Sequence, residues 1–165
     1  MVVTLVALSG LLLASFSSAN AQYHKMDNSQ FLSVSAWPDY VTASWSRMLT
    51  NRTYISLSET YFKTSESQFS TDNFLTELAF MRSWVRLGNL YLNGGGGGFL
   101  LYTTSETIQN RNINDFSFGF DLKGEIEYLP LWWLGLTGEV RQLFIIESDF
   151  FNTKVVYGFG LRFYF

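Results

Sequence analysis

The chain has no cysteine, one histidine and two prolines, and only 15% of its 165 residues are charged. Without cysteine there is no disulfide scaffold, no thiolate zinc site and no thiol nucleophile. A lone His24 excludes a two-histidine metal site and leaves little room for a His-dependent triad. Charged residues fall well below the ~25% of an ordinary soluble domain. The net charge of −3 gives no electrostatic reason to expect direct contact with nucleic acid. Enzymes and DNA binders are disfavoured, and no cofactor is expected. What the chain has in excess is rings: sixteen Phe, nine Tyr and five Trp. This composition fits one folded domain rather than a disordered chain.

Val2 to Phe16 is apolar apart from Thr4, Ser9, Gly10 and Ser15, and Ala19-Asn20-Ala21 follows. That run is shorter than the ~20 residues of a spanning helix, and the small-x-small triplet is the form signal peptidase cuts. Residues 1–21 therefore read as a cleavable signal peptide, 22–29 as a periplasmic tail carrying His24, and 30–165 as the folded domain. A buried apolar helix is the alternative for the first segment. No Lys or Arg precedes the apolar core, which implies a true translation start further upstream.

Beyond Gln22 no apolar run could span a membrane as a helix, so the domain is either soluble or a β-barrel. Period-two alternation decides for strands. From Phe116 to Tyr128 the even positions are Phe116, Phe118, Phe120, Leu122, Gly124, Ile126 and Tyr128, while the odd ones carry Ser117, Asp121, Lys123, Glu125 and Glu127. Tyr157, Phe159, Leu161, Phe163 and Phe165 repeat the pattern at the C-terminus. The same test predicts eight strands near 30–37, 40–48, 53–63, 73–85, 90–104, 115–128, 133–145 and 154–165. Short turns alternate with longer connections at 64–72, 105–114 and 146–153, and only the link at Pro38-Asp39 is short where a long loop would fit. An even number of strands, with short turns at one end and longer loops at the other, is the layout of an eight-stranded antiparallel up-and-down transmembrane barrel.

Alternation alone leaves open whether the apolar face points in or out, and a soluble lipocalin-like carrier is the reverse arrangement. Glycines on the polar face (Gly119, Gly158, Gly160) suit the narrow, filled interior of a small barrel. Rings gather at two levels: Trp84, Tyr128, Trp132 and Trp133, with Phe163 and Phe165, at the short-turn end, and Trp37, Tyr40, Phe62, Phe74, Tyr102 and Phe116 at the other. These match the two aromatic girdles of a membrane barrel. The interior would then hold Glu77, Asp121, Lys123, Glu125, Glu127, Glu139, Arg141 and Arg162 as an ion network, since isolated buried charges are expensive. A structural plug is the plain reading of that network, and a proton or ion path the sharper one. Glu59 lies on the apolar face with Ile55, Leu57 and Tyr61, which calls for a bulge or a level near the headgroups.

Two other motifs carry little chemistry. The run Gly94 to Gly98 has no Gly-Lys-Ser/Thr after it and no following helix, so it reads as a bend or a close approach within one interrupted strand rather than a phosphate loop. Asn51-Arg52-Thr53 is a glycosylation sequon by pattern only.

The segment from Tyr91 through Gly95 to Tyr102, the pair Gly138-Glu139 and the ending Gly158 to Phe165 resemble the TraO proteins of Bacteroidetes conjugative transposons. Those proteins end in a similar Gly-x-Gly-Leu-Arg-Phe-x-Phe. The resemblance runs from about residue 28 to the end. It implies a non-catalytic outer-membrane barrel serving a conjugative DNA-transfer apparatus, with membrane lipid and other transfer proteins as partners. The alternating ending, Tyr157 to Phe165, resembles the signal by which the barrel-insertion machinery recognises such chains. The other readings are a stand-alone outer-membrane barrel for surface interaction or membrane integrity, binding through loops around Glu66, Arg111 and Asp149, and the secreted carrier.

Overall fold

The computed structural model describes residues 28–37, 40–66, 69–106, 112–146 and 151–165. The expected signal peptide, His24, Arg111 and Asp149 lie outside the described residues. Eight strands follow in order: β1 (Gln30–Trp37), β2 (Tyr40–Thr50), β3 (Thr53–Glu66), β4 (Phe69–Leu87), β5 (Leu90–Glu106), β6 (Asn112–Leu131), β7 (Leu134–Ile146) and β8 (Phe151–Tyr164). Each pairs antiparallel with its sequence neighbours, and β1 pairs with β8 to close the barrel. The seam is sealed at its end by reciprocal bonds between the backbones of Gln30 and Phe165, 2.9 and 3.0 Å.

The strands run longer than the alternation predicts. β3 and β4 pair as far as Glu66 opposite Phe69, so most of the expected loop 64–72 is hairpin. β5 and β6 continue to Glu106 opposite Asn112, and β7 and β8 to Ile146 opposite Phe151. The backbone ladder persists there although apolar alternation has faded, because main-chain hydrogen bonding between strands does not depend on which face is apolar. The Gly94–Gly98 segment is likewise an uninterrupted part of β5, paired on both sides.

Two-residue turns at Asn51-Arg52, Gly88-Asn89 and Trp132-Trp133 define the short-turn end. Gly88 has φ +62°, the left-handed region that a primed hairpin turn uses at its first central position and that glycine adopts without strain. A bulge adjoins each turn, between Met48 and Thr50, Ser83 and Val85, and Tyr128 and Leu131. The second turns Trp84 and Val85 outward in succession, and the third accommodates Pro130, which has no N–H for a ladder.

The faces separate sharply. Outside, β6 presents Phe116, Phe118, Phe120, Leu122 and Ile126, and β8 presents Val155, Tyr157, Phe159, Leu161 and Phe163, all substantially exposed. Rings meet across strands on this surface, as in Phe120 with Phe144 at 4.7 Å and Tyr102 with Phe116 at 4.8 Å. From Phe116 to Tyr128 the belt runs about 40 Å along the strand, or about 30 Å along the axis at the tilt usual in such barrels. Inside, an apolar cluster at the short-turn end joins Phe31, Met48, Tyr54, Met81, Tyr91, Leu129 and Tyr164. A second, at the loop end, joins Leu75, Phe99, Leu101, Leu143 and Ile145. The polar side chains lie between and beside these two plugs.

Candidate functional site: the charged interior

All eight predicted interior charges face inward. β6 supplies Asp121, Lys123, Glu125 and Glu127, β7 Glu139 and Arg141, β8 Arg162 and β4 Glu77. The register sets like charges directly opposite one another, Lys123 against Arg141 and Glu125 against Glu139, an arrangement that is unfavourable if the facing groups interact. The ion pairs instead run diagonally. Lys123 Nζ reaches Glu139 Oε2 at 3.5 Å, and Arg141 Nε approaches Asp121 Oδ2 at 3.6 Å. An offset of two residues converts the repulsive ladder into an attractive one.

The groups form two centres. At the first, Arg162 reaches from β8 over β7 to β6, because β7 carries Gly135 there. A Cβ on Gly135 would stand 3.0 Å from Glu127 Oε1 and 3.3 Å from Arg162 Cβ. The guanidinium grips Glu125 in a fork, Nη1 to Oε1 at 2.9 Å and Nη2 to Oε2 at 2.5 Å, and pairs with Glu127 at 3.0 Å. Its Nε donates to Ser33 at 3.1 Å, and its plane lies 4.4 Å from the ring centre of Phe31. Tyr54 and Asn93 donate to Glu125, and Tyr164 and Asn93 to Glu127. Bidentate, multiply satisfied pairs of this kind are the ones that offset the cost of burial.

At the second centre, Arg141 Nη1 pairs with Glu77 Oε2 at 2.9 Å. Ser58 donates to the same oxygen at 3.0 Å. Asp121 accepts the backbone N–H of Gly97 at 2.8 Å, so the glycine strand does present an amide to an anion, though to a carboxylate of the chain itself. Ser35 donates to Glu139 at 2.9 Å. Here satisfaction is incomplete: Glu77 Oε1, Asp121 Oδ2 and Arg141 Nη2 have no hydrogen-bond partner among the described residues.

Opposite the charges, β1 to β3 line the bore with hydroxyls. Ser33, Ser35, Thr42, Ser46, Ser56, Ser58 and Thr60 are buried, with Thr42 and Thr60 2.8 Å apart and Ser46 donating to Ser56 at 2.9 Å. The alternation of Ser and Thr in 33–60 carried this signal, but attention to charge passed over it, as it did over Tyr54, Asn93 and Tyr164. A pocket in mid-bore beside Tyr54, Lys123, Glu125 and Arg162 has about 10 Å³, room for about one water.

The outward rings are placed less uniformly. Trp84, Trp132 and Trp133 are exposed at the short-turn end and Tyr128 is half-buried there. Trp84 donates to the Gly94 carbonyl at 3.3 Å, a ring resting where β5 has no side chain. Phe74 and Phe116 point outward at the other end. Tyr40 and Phe62, expected in the outer girdle, point inward instead. They are cross-strand partners and share the inward face of Thr42 and Thr60, and Gly158 makes room for the Tyr40 hydroxyl. Glu59 faces outward with no bulge in its register and accepts a hydrogen bond from Thr76 at 2.7 Å. Neither a metal-ligand cluster nor a helix long and apolar enough to cross a membrane occurs among the described residues.

A closed, filled eight-stranded barrel with an apolar exterior and a paired, charged interior is the class these features define. No protein-family model matches the chain, and no curated protein matches it in sequence. Among solved structures it is similar to the N-terminal β-barrel domain of Pseudomonas aeruginosa OprF, at TM-score 0.71 and 14% identity over 86% of this chain and 100% of that one. It also resembles Neisserial surface protein A, at TM-score 0.65 and 11% identity over 83% and 94%. Ail, the attachment invasion locus protein of Yersinia pestis, follows at TM-score 0.55 and 10% identity over 85% and 100%.

Proposed function

We propose that this chain is a small outer-membrane barrel of a Gram-negative bacterium that acts as a structural component rather than as an enzyme or open pore. The observation that carries this reading is the inversion of polarity: a continuous apolar belt outside and a charged bore inside, filled by side chains through its middle. Exposed apolar surface on this scale needs a non-aqueous partner, and ring closure pairs every strand with two neighbours through the body of the barrel. The outward Tyr157, Phe159, Leu161, Phe163 and Phe165 support their role as an insertion signal, and Trp84, Tyr128, Trp132 and Trp133 that of an interfacial belt. Fractionation tests the location: the chain belongs with the outer membrane after alkaline washing, and recovery in soluble periplasm would overturn the reading.

The specific role we propose is as an accessory part of a conjugative DNA-transfer apparatus, supported by the resemblance of residues 91–102 and 158–165 to TraO proteins. Deleting the gene from its element should lower transfer frequency while leaving growth unaffected; unchanged transfer would sink this role. The second reading, a stand-alone surface barrel, is favoured by the similarity to OprF, Neisserial surface protein A and Ail. Neighbouring transfer genes would speak for the first reading and their absence for the second.

A further inference from the structure

The β1–β2 hairpin is the low point of the barrel wall. Trp37 pairs with Tyr40 across a two-residue link, and above that level β1 and β2 end. β3 runs on from Phe62, the partner of Tyr40, to Glu66, while β8 begins at Phe151, eight residues before Phe159, which pairs with Ala36. Among the described residues the facing edges of β3 and β8 therefore have no strand between them over this stretch. Lys154 of β8 reaches across it, its ammonium 4.4 Å from the ring centre of Phe62 on β3.

Behind this notch lies a cavity of about 160 Å³. Its inner wall is Leu75, Leu143 and Val156, and its polar groups are Arg141, Lys154 and the hydroxyls of Tyr40 and Thr60; no carboxylate lines it among the described residues. Val155 and Tyr157 also border it, although their side chains are half exposed on the outer surface. β8 pairs with β1 only from Phe159 onward, so among the described residues no strand covers the edge of β8 beside the cavity. The buried guanidinium of Arg141 borders it with Nη2 unpartnered among the described residues. Such a donor is costly to leave unmade and is best satisfied by an anionic oxygen.

We infer that this cavity is a binding site for a carboxylate-headed, single-chain amphiphile that enters laterally from the membrane. The carboxylate is held between Arg141 and Lys154, and the chain lies on Leu143 and Val156 and leaves through the notch past Val155 and Tyr157. The volume, close to that of cavities that hold one benzene-sized group, accommodates the head and first methylenes, and the open wall accommodates the rest. This site rests on the membrane reading above only for its route of entry.

Equilibrium dialysis of radiolabelled octanoate against the full barrel in lipid nanodiscs, with empty discs as the reference, tests the inference. Saturable binding of one octanoate per barrel in excess of empty discs is expected, with octanol showing none. Lys154→Gln, at an exposed position, should weaken binding about two- to fivefold, and Val156→Trp, which fills the cavity, should abolish it with the circular dichroism of the barrel unchanged. Arg141→Met should weaken it at least about tenfold, but the two other variants decide the matter if that one fails to fold. Equal uptake of octanol, or binding unaltered by Val156→Trp, would overturn the site. Butyrate binding as tightly as octanoate would overturn lateral entry. A chain that does not enter the nanodisc overturns the membrane reading and the lateral route with it, whereas one that enters without binding octanoate overturns the site alone.

Discussion

The two arginine centres inside the barrel are built from the same residue types and differ in completeness. Arg162 holds two glutamates with Ser33, Tyr54, Asn93 and Tyr164 around them, and aromatic rings pack against its guanidinium. Arg141 serves two carboxylates with fewer helpers, leaves three polar atoms without a hydrogen-bond partner among the described residues and borders a cavity. Burial of charge stabilises only when the partners are complete. The short-turn end therefore behaves as a fixed plug, and the loop end as a site that water or a ligand can complete.

The largest expected effect breaks the first centre. Arg162→Met leaves Glu125 and Glu127 buried without their cation and should cost about 3–5 kcal/mol. Arg141→Met should cost less, about 1–3 kcal/mol, because Glu77 and Asp121 are already incompletely satisfied with the arginine in place. Urea unfolding of both variants in lipid vesicles measures the gap, and equal losses would remove the distinction between the two centres. Next comes Tyr54→Phe, which deletes a hydrogen bond to a buried carboxylate and should lose about 1.5–3 kcal/mol. Thr60→Val, at the loop end, removes only a bond between two hydroxyls and should lose about 1 kcal/mol or less; a larger loss than that of Tyr54→Phe would reverse the comparison.

Steric complementarity gives a third test. A methyl group at Gly158 would collide with the hydroxyl of Tyr40, so Gly158→Ala should destabilise by about 1–3 kcal/mol. Adding Tyr40→Phe removes the nearest atom, leaving the ring carbon 3.0 Å from the new methyl, and should restore part of that loss, a coupling that a double-mutant cycle reads directly. Additive losses would mean that the glycine serves some other need.

Alternation made the barrel and its polarity legible, because a period of two assigns every side chain to a face once one strand is oriented. Lys123, Glu125, Arg141 and Arg162 could be assigned to one enclosure from the sequence, but not to their partners. Pairing depends on register between strands, and here it runs along diagonals that no single strand reveals. Tyr40 and Phe62 depart from the expected girdle because parity, which they share with Thr42 and Thr60, decides their face, and their level near the strand ends does not. The lateral notch was half visible: the short link at Pro38-Asp39 stood out, but its consequence appears only where β8 begins eight residues before its first partner on β1.

The smallest expected effect concerns the outer face at Glu59. Its carboxylate points away from the bore and among the described residues accepts a hydrogen bond from Thr76, with Tyr61 and Asp72 hydrogen-bonded at 2.8 Å one step nearer the loop end. On β3 and β4 the apolar belt between this polar level and Arg82 is short, including Leu57, Leu78 and Phe80, whereas on β6 it runs unbroken by charge from Phe116 to Tyr128. A carboxylate near the headgroups costs little and one at the bilayer midplane considerably more. Glu59→Gln should therefore change unfolding free energy in lipid vesicles by less than about 1 kcal/mol. A gain of about 2 kcal/mol or more would place Glu59 in the hydrocarbon, and with it a bilayer that meets the β3–β4 wall at a different height from the β6 wall.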